Sequence, residues 1–241
     1  MTAPRNAPDD AALMDFLRTI ASRDAEAVKQ SLEESPGLAA VALRVGASRD
    51  SSTSFYLDAI PHYVYAGDTG LHIAAAAHQA EIVRPLIARG ANVRARNRRG
   101  AEPIHYAADG VPEGPAWDPA GQHAVVACLI EQGADPNARD NSGVAPLHRA
   151  VRTRCAAAVR ALLAHGADAV LPNQAGSTPL HLAVQTTGRG GSGSDSAKEQ
   201  QREIVVVLLA HGARPTDTDA KGKTVAVMAR AEWIRELLAP D

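Results

Sequence analysis

Thr69-Gly70-Leu71-His72, Glu102-Pro103-Ile104-His105, Ala145-Pro146-Leu147-His148 and Thr178-Pro179-Leu180-His181 are four copies of one short signature. Their histidines are 33, 43 and 33 residues apart. A second column runs in step with the first: Gly90-Ala91-Asn92, Gly133-Ala134-Asp135, Gly166-Ala167-Asp168 and Gly212-Ala213-Arg214. Its spacings are 43, 33 and 46 residues. A fixed period interrupted by discrete insertions marks a repeat array rather than an ordinary globule. Histidines that recur with the fold are explained by the fold, which weakens catalytic readings of them.

Each unit has one plan. Gly67, Gly100, Gly143 and Gly176 precede the signature, where a tight turn needs positive φ. Proline in the signature suits the first turn of a helix, where its missing N–H is no loss. A second helix then carries Ile82-Val83 with Leu86-Ile87, Val125-Val126 with Leu129-Ile130, Ala158-Val159 with Leu162-Leu163, and Ile204-Val205 with Leu208-Leu209. These pairs share one face of a 3.6-residue period. The glycine of the second column ends that helix at C′.

Taken together, the columns and the 33-residue period resemble the ankyrin repeat family from about Ala66 to Asp241, roughly three quarters of the chain. The run Gly133-Ala134-Asp135-Pro136-Asn137-Ala138-Arg139-Asp140 lies close to that family's consensus. The resemblance implies an all-α, ankyrin-type helical solenoid with β-hairpin or turn fingers between antiparallel helix pairs. It also implies a concave binding surface lined by inner helices and fingers, and signature histidines that tie each turn to neighbouring backbone. The chain departs from the pattern at Gly70, which replaces the proline, and at Glu102 and Ala145, which replace the threonine. Pro85 falls inside a second helix, where it removes a backbone hydrogen bond. The unit starting Gly222-Lys223-Thr224-Val225-Ala226-Val227 lacks both proline and histidine, and is read as a diverged capping repeat.

Outside the regular units the signals are weaker. Residues 1–9 carry two prolines and no apolar pattern and are expected to be disordered. Residues 10–65 form an N-terminal helical capping region with a degenerate repeat: one helix from Asp10 to Ile20, a second from Ala25 to Glu34 capped by Asp24. Phe55, Tyr56, Tyr63 and Tyr65 hold four of the six Phe and Tyr residues. They either cover the first regular repeat or form an aromatic surface for a partner. Four repeats span 66–219, with insertions at about 111–122 and 187–199, and a capping repeat spans 220–241. The first insertion is proline-rich and carries Trp117, which either packs back on nearby helices or anchors an interface. The second is a flexible Gly/Ser loop.

Of the 241 residues, 45% are apolar but only 3% are aromatic, as suits thin layers of Ala, Leu and Val between stacked helices. A net charge of −2 argues against a general nucleic-acid or membrane-surface binder. Cys128 and Cys155 have no metal spacing and read as reduced, partly buried thiols. With no apolar leader and no apolar run of membrane-spanning length, a soluble cytoplasmic protein is expected.

Catalytic and metal chemistry find little support. Stacked histidines sit about 10 Å apart, whereas zinc–nitrogen bonds are about 2 Å. His165 and His211 precede a helix-terminating glycine, where imidazole meets the negative end of the helix dipole. Gly222-Lys223-Thr224 resembles the end of a phosphate-binding loop, but the pattern needs glycine where Asp217 stands. No cofactor, metal or catalytic residue is expected.

Positions that the family pattern leaves free lie at finger tips and on inner helices. Arg96, Arg98, Arg99, Asp109, Asn141, Ser142, Arg152, Thr153, Gln174, Gln185, Lys221 and Lys223 are the candidate partner-binding residues, with Trp117 beside them. Six are cationic and one anionic, in a chain that is slightly acidic. The expected function is non-catalytic binding of a protein with an acidic surface, by a monomer, with arginine favoured because its planar fork meets carboxylates bidentately. A regulatory or inhibitory subunit of an enzyme or toxin is the alternative, and an enzyme with a site in residues 40–66 or 111–121 the third. Nucleic acid is a weaker partner, since no aromatics interleave with the arginines.

Overall fold

The computed structural model describes residues 9–112, 114, 117–185 and 193–239. The expected disorder of residues 1–8 lies outside these, as do 113, 115 and 116 of the first insertion and 187–192 of the second. The described residues form two compact units. One runs to Ala107 and takes in Ala124–Asp135, and the other comprises Ala108–His123 and the chain from Pro136 onward.

In the first unit, α1 (Asp10–Ala21) pairs with α2 (Ala25–Glu34). Asp9 caps α1, its carboxylate accepting from the Ala12 N–H at 2.8 Å, and Asp24 caps α2 through the Ala27 N–H at 2.9 Å. Leu13, Phe16, Leu17 and Ile20 of α1 and Val28 and Leu32 of α2 fill the layer between them. α3 (Gly70–Ala76) packs on α1, and α4 (Ala80–Ala88) packs on α2 and α3. α4 contains Pro85, as expected, and still runs to Ala88. At Gly70, where the signature has proline, a Cβ would lie 3.1 Å from the Phe16 ring and 3.2 Å from Ile20. Residues 40–66 add a short antiparallel hairpin, β1 (Tyr56–Leu57) against β2 (His62–Tyr63), with Tyr56 opposite Tyr63.

α5 (Pro103–Ala108) and α6 (Pro119–Glu131) come next in the chain. The second unit holds α7 (Pro146–Arg152), α8 (Ala156–Ala164), α9 (Pro179–Ala183), α10 (Asp195–Ala210), α11 (Val225–Met228) and α12 (Glu232–Leu238). Inner helices stack as α7, α9, α11 and outer helices as α8, α10, α12. The class is the all-α repeat fold expected from the sequence, with turn-type fingers. The insertions also lengthen outer helices: α6 has 13 residues and α10 has 16, against 9 in α4 and α8. Asp118 caps the longer α6 through the Gly121 N–H at 2.9 Å, and Ser194 caps α10 through the Ala197 N–H at 3.1 Å.

The signature histidines hold consecutive turns together. In His148 the Nδ1 accepts from the Ala145 N–H at 3.2 Å, so the proton sits on Nε2, which donates to the Ser177 carbonyl at 3.1 Å. His72 does the same with the Thr69 N–H (3.2 Å) and the Ala101 carbonyl (3.2 Å). His181 does so with the Thr178 N–H (3.1 Å) and the Lys223 carbonyl (3.3 Å). These bonds require a neutral ring. Burial of His148 pushes its pKa below the ordinary 6.5, against the opposing pull of the Ser177 carbonyl.

The unfolded chain takes up a proton on His148 before the folded chain does. Stability from His148 is therefore complete above pH 6.5 and lost as pH falls from there toward the depressed folded value. Urea melts between about pH 7.5 and about pH 5 should show this fall. A His148→Leu variant should be about 2 kcal/mol less stable at neutral pH and less sensitive across that window. Gly176 and Gly222 both have φ near +72°, but a Cβ on Gly176 would lie 2.3 Å from the Ala220 amide nitrogen and one on Gly222 would meet nothing within 4 Å. Gly222→Ala should cost about 1 kcal/mol of left-handed strain. Gly176→Ala should cost clearly more, and equal thermal midpoints for the two would refute the close approach of these fingers.

Candidate functional site

The fingers close by one device. Asn97, Asp140, Asn173 and Asp219 each turn their side chain back onto the loop they open. Asp140 Oδ1 accepts from the Ser142 N–H (2.9 Å) and the Val144 N–H (3.0 Å), and Asp219 Oδ1 from the Lys221 N–H (2.8 Å) and the Lys223 N–H (2.9 Å). Asn97 holds the N–H groups of Arg99 and Ala101, and Asn173 those of Ala175 and Ser177. A glycine with positive φ follows three residues later, at Gly100, Gly143, Gly176 and Gly222. The Lys223 N–H, foremost, holds the Asp219 carboxyl below the usual range. Burial works to raise Asp140, and the amides of Ser142 and Val144 with the Arg149 guanidinium outweigh it. The column is visible in the sequence as an Asn or Asp three residues before each finger glycine, and its side chains bind the turn they open.

The first unit engages its candidate arginines internally. The Arg98 backbone N–H donates to the Ala66 carbonyl at 2.8 Å, and its guanidinium donates to the Ala47 carbonyl. The Tyr65 ring lies 5.2 Å from the Arg98 guanidinium and 4.3 Å from that of Arg99. Arg96 reaches Glu102 at 3.9 Å. Glu102 is buried, and that burial raises its carboxyl pKa although Arg94 and Arg96 pull it down. Tyr65 thus lies against the first finger. Asp68 is fully buried there, accepting from the Tyr65 N–H (2.7 Å), the Asn97 side-chain amide (2.9 Å) and the Tyr106 hydroxyl (3.0 Å).

In the second unit the candidates divide. Asp109 pairs with Arg149 at 2.9 Å, and Arg149 also reaches Asp140 at 3.3 Å. The Thr153 hydroxyl donates to the Arg149 carbonyl at 3.0 Å. Trp117 is half-buried over Gly110: a Cβ on that glycine would fall 2.6 Å from its ring and 2.7 Å from the Cys155 sulfur. The tryptophan therefore packs back on its own unit. Asn141, Ser142 and Gln174 are exposed, with the Gln174 side chain donating to the Asn141 carbonyl at 2.9 Å. Arg152 is exposed.

Gln185, Lys221 and Lys223 come together. They line an open cleft of about 600 Å³ with Ser177 from the preceding finger and with Val227, Met228 and Arg230 from the segment of α11. The ammonium groups of Lys221 and Lys223 and the guanidinium groups of Arg152 and Arg230 make no hydrogen bond or ion pair among the described residues. A cleft of this size, with cations and apolar groups on its walls, can hold a few residues of another chain.

Neither cysteine among the described residues is set up as a nucleophile. Burial pushes the Cys155 thiol up to about 11 and also raises Cys128. A nucleophilic cysteine needs its thiolate near neutral pH. Among the described residues, no group of three His, Cys, Asp or Glu side chains could hold a metal ion. No helix among them is long and apolar enough to cross a membrane.

A family model described as Ankyrin repeats (3 copies) matches residues 116–219, and one described as Ankyrin repeat matches residues 66–98. Between them lie residues 99–115, where Glu102 replaces the signature threonine and the proline-rich insertion begins. No curated protein matches the chain.

Both thiols should be inert in the folded protein. Treatment with a disulfide reagent at neutral pH should label neither Cys128 nor Cys155 until denaturant is added; prompt stoichiometric labelling of the native chain would reopen the cysteine as a reactive centre.

Proposed function

This chain belongs to the ankyrin repeat family, and we propose that it is a non-catalytic module that binds a protein with an acidic surface through its finger and inner-helix residues. Ankyrin repeats are in general protein–protein interaction modules. The acidic character of the partner rests on one observation. The carboxylates of the second unit's fingers are turned onto their own amides or onto Arg149, while Arg152, Lys221, Lys223 and Arg230 are left to solvent. What this unit offers outward at its fingers is positive.

Such a surface speeds and orients encounter with a negatively charged partner more than it adds raw affinity. The fingers are already closed by side-chain caps, so their ordering costs little on binding. We place the protein in the cytoplasm as a monomer whose activity is occupancy of the partner.

The test is capture from a lysate of the source cells with the full chain as bait, followed by mass spectrometry and repeated at rising salt. Captured proteins should carry acidic surfaces, and capture should fade as ionic strength rises toward about 1 M, where screening acts within about 3 Å. Basic partners, or capture indifferent to salt, would reject an acidic surface as the target.

A further inference from the structure

The end of the second unit is built differently from the units before it, and its cleft carries a more specific reading that rests on the proposed binding role. α11 has four residues where α7 has seven. The chain turns away at Ala229 and Arg230, and Arg235 clamps that turn. Its Nε donates to the Ala229 carbonyl at 3.0 Å and its Nη2 to the Arg230 carbonyl at 2.6 Å. The turn sets Arg230 on the cleft wall with Lys221 and Lys223. The Asp219 carboxylate on the same wall accepts from two backbone amides.

Two apolar side chains share the lining. In register, Val227 stands where the signature has histidine, and it is 74% exposed whereas the three histidines His72, His148 and His181 are at most 1% exposed. Met228 adjoins it in the lining. An exposed apolar side chain in a cleft lined by three cations and a single carboxylate matches an occupant that is itself apolar and anionic.

We propose that this cleft binds an extended acidic peptide segment of a partner protein. One apolar side chain of the segment rests on Val227 and Met228, and neighbouring carboxylates meet Lys221, Lys223 and Arg230. Ser177 and Gln185 offer neutral hydrogen-bonding groups to its backbone. Among the described residues no aromatic ring lines the cleft, so a nucleic-acid strand would lack its stacking platform.

The probe is a blocked, fluorescein-labelled peptide of alternating Glu and Leu, followed by anisotropy with the full chain. Control peptides replace Glu by Lys or Leu by Ser, and an oligonucleotide of equal charge stands beside them. The native chain should bind the Glu/Leu peptide in preference to all three. The triple variant Lys221→Glu, Lys223→Glu, Arg230→Glu should bind it at least about tenfold more weakly with unchanged circular dichroism. Val227→Ser should erase the preference for the Leu peptide over the Ser peptide, a difference of about threefold or more. The proposal is overturned by an unaffected triple variant, by a preference that survives Val227→Ser, by tighter binding of the oligonucleotide, or by a native chain that does not bind the peptide. Salt-sensitive capture of an acidic protein by the native chain would survive any of these results, so the two readings fail separately.

Discussion

The repeat depends on a neutral imidazole with one face of bonding for its own turn and one for the next. In His148 the ring accepts from the first turn of α7 and donates to the carbonyl of Ser177 in the following finger. Both groups it serves are backbone atoms that burial would otherwise leave unsatisfied, at a cost of about 1–3 kcal/mol each. A lysine or arginine cannot accept, and a carboxylate cannot donate, so the position calls for a side chain with both a donor and an acceptor, which the neutral imidazole supplies on opposite edges of its ring. Thr69 and Thr178 strengthen the arrangement, with hydroxyls 3.0 and 2.9 Å from their histidine. Ala145 does without this contact and keeps the backbone bond. The tie also consumes the histidines' chemistry, since a ring held this way on both nitrogens has none to offer a metal or a substrate.

The same economy explains where charge ends up. A finger must satisfy the amides of a tight turn, and a short carboxylate or carboxamide at its start does so. Asp140 and Asp219 are thereby turned inward, and Asp109 is drawn to Arg149. Cationic side chains cannot cap amides, so those at the finger tips point away. Finger carboxylates occupied by their own turns beside cations left to solvent are thus a consequence of turn chemistry in a chain of net charge −2. The first finger is the exception. There Tyr65 and the Ala47 carbonyl engage Arg98 and Arg99, and the Tyr65 N–H donates to the buried Asp68, whose register mate in the last finger is the exposed Lys223. Cations of equal standing in the sequence therefore differ in what they have left to give.

The array was legible because its signals repeat. Period, helix-stopping glycines and apolar pairs all point to the same helices, and Asp24 marks the start of α2 at the residue that caps it. The site was legible only by register. Gln185, Lys221 and Lys223 were among the expected residues, but Val227, Met228 and Arg230 were not. Val227 read as a lost histidine, and nothing in the sequence says that its helix stops after four residues or that Arg235 clamps the turn. Trp117 was open to two readings because its contact, Gly110, is a residue without a side chain to betray it. Arg98 and Arg99 looked free because the stacking ring lies in an irregular segment more than 30 residues earlier, where no period carries information.

Val227 shows how a repeat acquires a site by losing a structural residue. At the histidine register a side chain normally faces inward and is spent on the next finger. Valine has no nitrogen to make that tie, and with α11 cut to four residues its side chain stands 74% exposed beside Lys221 and Lys223. One substitution thus removes a buried hydrogen-bonding demand and supplies an apolar contact at the surface. The neighbouring elements are kept rigid by other means: Asp219 closes the finger and Arg235 holds the turn. Stability and recognition therefore draw on different side chains here, so the cleft can be altered without loosening the stack. In the regular units the histidine serves the fold, and the same change would cost the structure before it offered a partner anything.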